Sequence, residues 1–338
     1  MYHDSVGREF RADAGPLGKR PQAPTVPQPA RRGAASTVAA ARTPSQDAAQ
    51  EPVGGQDARA TPDRSGVVVL GMHRSGTSAV TRALNLLGLS ICPPTDLIGA
   101  HPTNPTGHWE SRTLVECNNA ILKAAGARSW CPPPPGPAWI STPPVQDLIP
   151  LCRAAFRAVH PSPPWVWKDP RTCLTADLWL PLLQAPPAIV LVAREPLQIA
   201  RSVNARDSFA LPLCLALWER YLREAMRSAV GLPVWVTWFD QLLDHAQGWA
   251  AAAARFLGNI GIRPVGGAAD PSAAARELDP RLRHHGEHDT ENHLLSTEQH
   301  RLRDLLRDLT GVHPSFALPK LPEETASNEQ YFAAVRPS

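Results

Sequence analysis

The apolar run Gly66–Leu70, GVVVL, leads into a loop, GMHRSGTS at residues 71–78, after which Ala79, Val80, Ala83, Leu84 and Leu87 recur at helical spacing until Gly88. A short continuous run of branched apolar residues predicts a buried strand. Recurrence at three and four predicts an amphipathic helix, and the glycine supplies its stop. The alternation repeats down the chain. WVWKDP from Trp165 predicts a strand running into a loop, and AIVLVAREP from Ala188 a second buried strand with Pro196 in the first turn of the helix after it. PVWVTWFD from Pro233 predicts a further strand, with a helix around residues 250–257 behind it. Between these runs, Leu114, Val115, Ile121 and Leu122 mark a helix ending near Gly126, CPPPPGP at 131–137 breaks regular structure, and Leu213, Leu217, Tyr221 and Ala225 mark a long helix over about 212–230. Strands alternating with helices predict an α/β fold: a P-loop-like parallel sheet with helices on both faces and ligands outside the carboxyl ends of its strands.

The pattern is missing from residues 1–65, which are rich in Pro, Ala, Gly, Gln and Arg and nearly devoid of large apolar side chains after Phe10. Such a segment buries too little surface to offset its ordering entropy, so disorder is expected there. The rest of the 338-residue chain, 43% apolar overall, has enough material for a sizeable core. Of the formal net charge of +3, the first 65 residues hold +2 (nine Lys/Arg, seven Asp/Glu), leaving +1 for the remainder. A nearly neutral domain lacks the basic face that nucleic acid requires. The opening MYHDSVGREF has no apolar signal stretch, and Asp4, Glu9 and Asp13 argue against an organelle transit peptide. No run approaches the ~18 apolar residues of a spanning helix, so a soluble, cytoplasmic protein is expected. Cys92, Cys117, Cys131, Cys152, Cys173 and Cys214 have no CxxC spacing and read as reduced thiols, not as a disulfide framework or zinc site.

The loop at 71–78 carries the chemistry. Its glycines have the spacing of the phosphate-binding loop GxxxxGK[ST], but Thr77 stands where that loop keeps lysine. A strand–loop–helix junction still aims backbone N–H groups and a positive helix end at an anion. Arg74 adds a guanidinium fork, and Ser75, Thr77 and Ser78 add hydroxyls around Gly76. An NTPase also needs a strand-end carboxylate to hold Mg²⁺. Here the strand ends are Lys168 and Arg194, although Asp169 follows Lys168 directly. In VAREPLQIARS, Ser202 lies eight residues after Arg194, about two helical turns on, so both residues can face one phosphate.

GMHRSGTS and the Arg194…Ser202 pair resemble the two signatures of sulfotransferases that use 3′-phosphoadenosine-5′-phosphosulfate, and are most similar to bacterial-type members with Arg in the first loop. The likeness extends over residues 66–262. It implies that Arg74, Ser75, Gly76, Thr77 and Ser78 contact the 5′ end of the donor and that Arg194 and Ser202 contact its 3′-phosphate, without a metal. The implied organisation is a disordered segment at 1–65, a sulfotransferase domain over 66–318 and an irregular tail at 319–338.

Sulfuryl transfer needs an aligned nucleophile, a positive partner for the bridging oxygen and a base for the acceptor proton. Glu110, in NPTGHWES, is expected to open a helix, where it is either the base or a carboxylate favoured by the helix dipole; His108 is the alternative base. Lys168 resembles the lysine that stabilises the bridging oxygen in many family members. The cytosolic members' histidine two residues beyond that lysine is replaced by Pro170. Asp169 and Arg171 either bind substrate or pair with each other. Trp165, Trp167, Trp235 and Trp238 read as core, and Trp109 as core or as a platform for a sugar or adenine. His284, His285, His288 and His293 lack a ligand partner for zinc and read as part of a basic loop that closes over the donor through Arg281 or Arg283. The acceptor implied by the resemblance is a carbohydrate hydroxyl; aromatic alcohols, lipids and tyrosines remain open. The other function classes are a Mg²⁺-dependent kinase and a nucleotide-binding adaptor without activity.

Overall fold

A computed structural model describes residues 66–101, 104, 107–263, 270–276 and 293–336. In chain order the strands are β1 (Gly66–Leu70), β2 (Leu97–Ile98), β3 (Glu110–Ser111), β4 (Trp165–Lys168), β5 (Ala188–Ala193), β6 (Val234–Trp238) and β7 (Gly311–His313). The helices are α1 (Thr77–Leu86), α2 (Arg112–Ala124), α3 (Pro143–Gln146), α4 (Ile149–Val159), α5 (Thr172–Trp179), α6 (Pro196–Asp207), α7 (Leu211–Ser228), α8 (Phe239–Asp244), α9 (Ala246–Asn259), α10 (Pro271–Arg276), α11 (Thr297–Asp308) and α12 (Asn328–Ala334).

Five strands form one sheet in the order β4-β1-β5-β6-β7. The first four are mutually parallel, as the apolar runs predict, and each is buried along its whole length. Strand pleating sends alternate residues to opposite faces. Val68, Leu70, Ile189 and Leu191 pack with α5, α6 and α7 on one side, while Val67, Val69, Val190 and Val192 pack with α1 and α9 on the other. Both faces are therefore covered, which is why the runs are continuously apolar instead of alternating. Trp165, Trp167, Trp235 and Trp238 are all core residues. Among the described residues no helix is long and apolar enough to cross a membrane.

Two elements depart from the sequence reading. The edge strand β7 pairs antiparallel with β6; Gly-Val-His is too short for a periodic signal and gains its strand character from its neighbour. The stretch from 319 onward is not irregular throughout, because it carries α12, whose Phe332 is buried against α7. A row of buried charges on α7 holds this segment. Arg220 pairs with Glu324 and Glu329, Arg223 donates to the carbonyls of Pro322 and Glu323, and Glu219 accepts from the Thr325 N–H and from Asn328. These partners lie about a hundred residues away in sequence, beyond the reach of a periodicity argument. Residues 1–65 and the side chains of His284, His285, His288, Arg281 and Arg283 lie outside the described residues. His293 is described and exposed.

Candidate functional site

The carboxyl ends of β1, β4 and β5 bring the polar residues together. From β1 the chain passes Gly71, whose N–H donates to Cys173 Sγ at 3.1 Å, and turns through left-handed conformations at Arg74 (φ 69°) and Gly76 (φ 90°) into α1. At Gly76 the turn requires glycine twice over: φ is positive, and an added Cβ would lie 2.0 Å from Phe239 Cδ2. Thr77 and Ser78 open α1, so their N–H groups have no partner within the helix and its positive end lies here. Ser75 is 1% exposed, and its Oγ makes no hydrogen bond. A buried hydroxyl without a partner is costly, and its place in an anion-type loop is where a ligand oxygen would satisfy it.

Arg194, at the end of β5, and Ser202, in α6, both meet this loop. Arg74 Nε donates to Ser202 Oγ at 2.8 Å, and Arg194 Nη1 donates to the Arg74 carbonyl at 3.0 Å. Arg194 Nε donates to Gln198 Oε1 at 3.0 Å. Nearby, Glu195 binds Arg307, and Asp207 binds Arg206.

Lys168, at the end of β4 and 2% exposed, is held by three acceptors. Its Nζ lies 2.5 Å from Glu110 Oε1, 2.5 Å from the His108 carbonyl and 3.1 Å from Ser78 Oγ. Glu110 is not in the first turn of a helix. It belongs to the two-residue strand β3, and the next residue, Ser111, caps α2 by accepting from the Leu114 N–H. The carboxylate therefore answers to Lys168 and not to the helix dipole. Trp109, between His108 and Glu110, has φ 57°, a conformation bulky residues rarely adopt. With it, His108 and Glu110 both reach Lys168. The Arg82 guanidinium lies 4.7 Å from the Trp109 ring centroid, so this ring is already stacked.

Asp169 and Arg171 pair with each other at 2.9 Å in the interior. Asp169 Oδ1 also accepts the Arg171 N–H, and its Oδ2 accepts from Asn118 Nδ2 at 2.8 Å. Burial pushes the Asp169 carboxyl up, while the Arg171 guanidinium pulls it back. Two imidazoles stand in the resulting positive field. Burial lowers His108 to about 4, helped by Lys168 and Arg206. Burial, then Arg206, Arg171 and Lys168, hold His73 well below the ordinary histidine value. Both rings are neutral at pH 7, and His73 lies against Tyr221 with ring centroids 5.8 Å apart.

The structure thus brings Arg74, Ser75, Gly76, Thr77, Ser78, Arg194 and Ser202 to one junction, with Glu110, His108 and Lys168 beside Ser78. The sequence reading missed Asn118, His73 and Arg206. For Asn118 a signal was present: it occupies the buried face of α2 in register with Leu114, Val115, Ile121 and Leu122, where a polar residue needs buried partners. Its Oδ1 accepts from Thr175 at 2.7 Å and from Trp179 Nε1 at 2.8 Å.

The solved structures to which this chain is similar include two sulfotransferase domains. One is the sulfotransferase domain from the Synechococcus PCC 7002 olefin synthase, 15% identical, with a TM-score of 0.34 over 84% of this chain and 98% of that one. The other is the sulfotransferase domain from the curacin biosynthetic pathway, 12% identical, with a TM-score of 0.36 over 81% of this chain and 98% of that one. Both are sulfotransferase domains. No family model and no curated protein matches the sequence.

Proposed function

We propose that this chain is a sulfotransferase that moves a sulfuryl group from 3′-phosphoadenosine-5′-phosphosulfate to an acceptor hydroxyl, with a carbohydrate as the acceptor class. The observation that carries the reading is the 2.8 Å contact of Arg74 with Ser202, reinforced by Arg194 on the Arg74 carbonyl. It joins a phosphate-type loop to an Arg…Ser pair, as a ligand with anionic groups at both ends requires. The unpartnered Ser75 hydroxyl and the α1 N-terminus fit the 5′ side of such a ligand, and Arg194 with Ser202 fits its 3′ side. The carbohydrate assignment rests on the sequence resemblance alone.

The donor supplies the sulfuryl group and a phosphate leaving group. Arg74 and Lys168 offset the charge that grows on the bridging oxygen as its bond to sulfur breaks. Glu110, paired with Lys168 at 2.5 Å, takes the acceptor proton as the new sulfur–oxygen bond forms. The kinase alternative needs a strand-end carboxylate for Mg²⁺, and the one that follows Lys168, Asp169, is fully buried and committed to Arg171 and Asn118.

Calorimetric titration with adenosine 3′,5′-bisphosphate, 5′-AMP and ATP–Mg²⁺ tests the reading. The expected result is tightest binding of the bisphosphate, with the preference lost in Arg194→Ala. ATP–Mg²⁺ binding as tightly as the bisphosphate would overturn it.

A further inference from the structure

One aromatic ring touches both halves of this site. Phe239, the first residue of α8 and 6% exposed, packs so closely on the loop that a Cβ at Gly76 would lie 2.0 Å from its Cδ2 and 2.5 Å from its Cε2. The same ring has the Arg194 guanidinium over it, with Cζ 4.8 Å from the centroid. The contacts that orient Arg194 include Gln198 at Nε, the Arg74 carbonyl at Nη1, and the ring against its plane. The residues on either side of Phe239 are held by Arg307, whose guanidinium lies 3.3 Å from the centroid of the preceding Trp238. Arg307 also binds the following Asp240 at 3.3 Å, and it binds Glu195, the neighbour of Arg194, at 2.5 Å.

We infer that Phe239 is a positioning residue that sets the spacing between the loop at Gly76 and the guanidinium of Arg194, and through it the preference for a nucleotide phosphorylated on both its 3′ and 5′ sides. A ligand held at two ends is sensitive to the distance between its two sites, whereas one held at a single end is not. A flat ring can serve as a spacer here because it offers a firm apolar edge to a glycine turn and an electron-rich face to a cation. The inference rests on the donor reading above, in which Arg194 meets the 3′-phosphate.

The test is calorimetric titration of wild type, Phe239→Leu, Phe239→Met and Phe239→Tyr with adenosine 3′,5′-bisphosphate and with 5′-AMP, with thermal unfolding run in parallel. Leu and Met keep an apolar contact under Gly76 and remove the face from Arg194; Met covers the case in which Leu does not fold. Bisphosphate affinity is expected to fall roughly tenfold in Leu and Met, with 5′-AMP changed by less than about twofold and wild-type behaviour restored in Tyr. Equal losses for the two nucleotides, or a Tyr variant as impaired as Leu, would show a merely structural ring and overturn the inference. A wild-type protein that does not prefer the bisphosphate removes the donor reading as well. A wild-type preference that survives in Leu and Met removes only the role of Phe239.

Discussion

Arg74 Nε donates to Ser202 Oγ at 2.8 Å, a contact between residues 128 apart in sequence. The hydroxyl holds the guanidinium of the first loop against the helix that follows the second. Burial, with the nearby Arg206 charge, already lowers Arg74 from the ordinary arginine value, so this cation is placed at some cost and gains from any anion that enters. Ser202→Ala removes both the tether and a donor. Affinity for adenosine 3′,5′-bisphosphate is expected to fall about tenfold, while folding stability changes by only about 1 kcal/mol, the net worth of an ordinary hydrogen bond. Calorimetry and a urea midpoint check the two halves; a large stability loss with unchanged affinity would make the contact structural.

The pair formed by Lys168 and Glu110 is expected to separate binding from chemistry. Glu110→Gln keeps a neutral acceptor for Lys168 but cannot take a proton, so turnover should drop about 10²–10⁴-fold with nucleotide affinity nearly unchanged. Lys168→Met leaves Glu110 buried without its cation and should destabilise the fold by about 3–5 kcal/mol in addition to reducing turnover. Single-turnover sulfuryl transfer and denaturant unfolding distinguish them. A Glu110→Gln enzyme with full activity would transfer the role of base to His108.

Gly76→Ala forces a side chain into a left-handed turn, at about 1–3 kcal/mol for the backbone alone, and drives its Cβ into the Phe239 ring. Loss of stability by at least this amount, with displacement of the loop and weakened binding of any 5′-phosphate ligand, is the expected outcome. Urea unfolding measures the first effect and 5′-AMP titration the second.

His160 is packed between Phe156 and Trp165, with ring centroids 5.0 and 5.4 Å away, and neither ring nitrogen has a hydrogen-bond partner. Burial lowers it from 6.5 to about 4, against a small upward pull from Asp96. Above about pH 6.5 the ring is neutral in both folded and unfolded chains, and its burial carries no protonation cost. As the pH falls below that, the unfolded chain takes up a proton that the folded one refuses, so stability is lost, on the order of 2 kcal/mol by about pH 5. His160→Phe should flatten the profile of Tm against pH over this range. An unchanged profile would mean that the folded ring can protonate in place.

The strands were legible because a parallel sheet covered on both sides writes itself as continuous apolar runs, and GVVVL and AIVLVA have no competing reading. The loop at 71–78 and the Arg194…Ser202 pair were legible because each lies wholly within a few residues of chain. What escaped was non-local. Nothing around Glu110 reveals that it faces Lys168, 58 residues on, and its short β3 strand exists only through pairing with Leu97 and Ile98. Nothing in TWFD marks Phe239 as the residue beneath both Gly76 and Arg194. The long-range partners of the charged row on α7 lie about a hundred residues on, and the return of residues 322–332 supplies them.

That return orders events during synthesis. When α7 leaves the ribosome, Glu219, Arg220 and Arg223 already belong to a helix that will be buried, but their partners Pro322, Glu323, Glu324, Thr325, Asn328 and Glu329 have not yet been translated. The four parallel strands can therefore assemble while the chain is still growing, yet the wall behind α7 stays hydrated and open until the closing segment arrives. Residues 322–332 act as a latch on α7, supplied by chain translated about a hundred residues later.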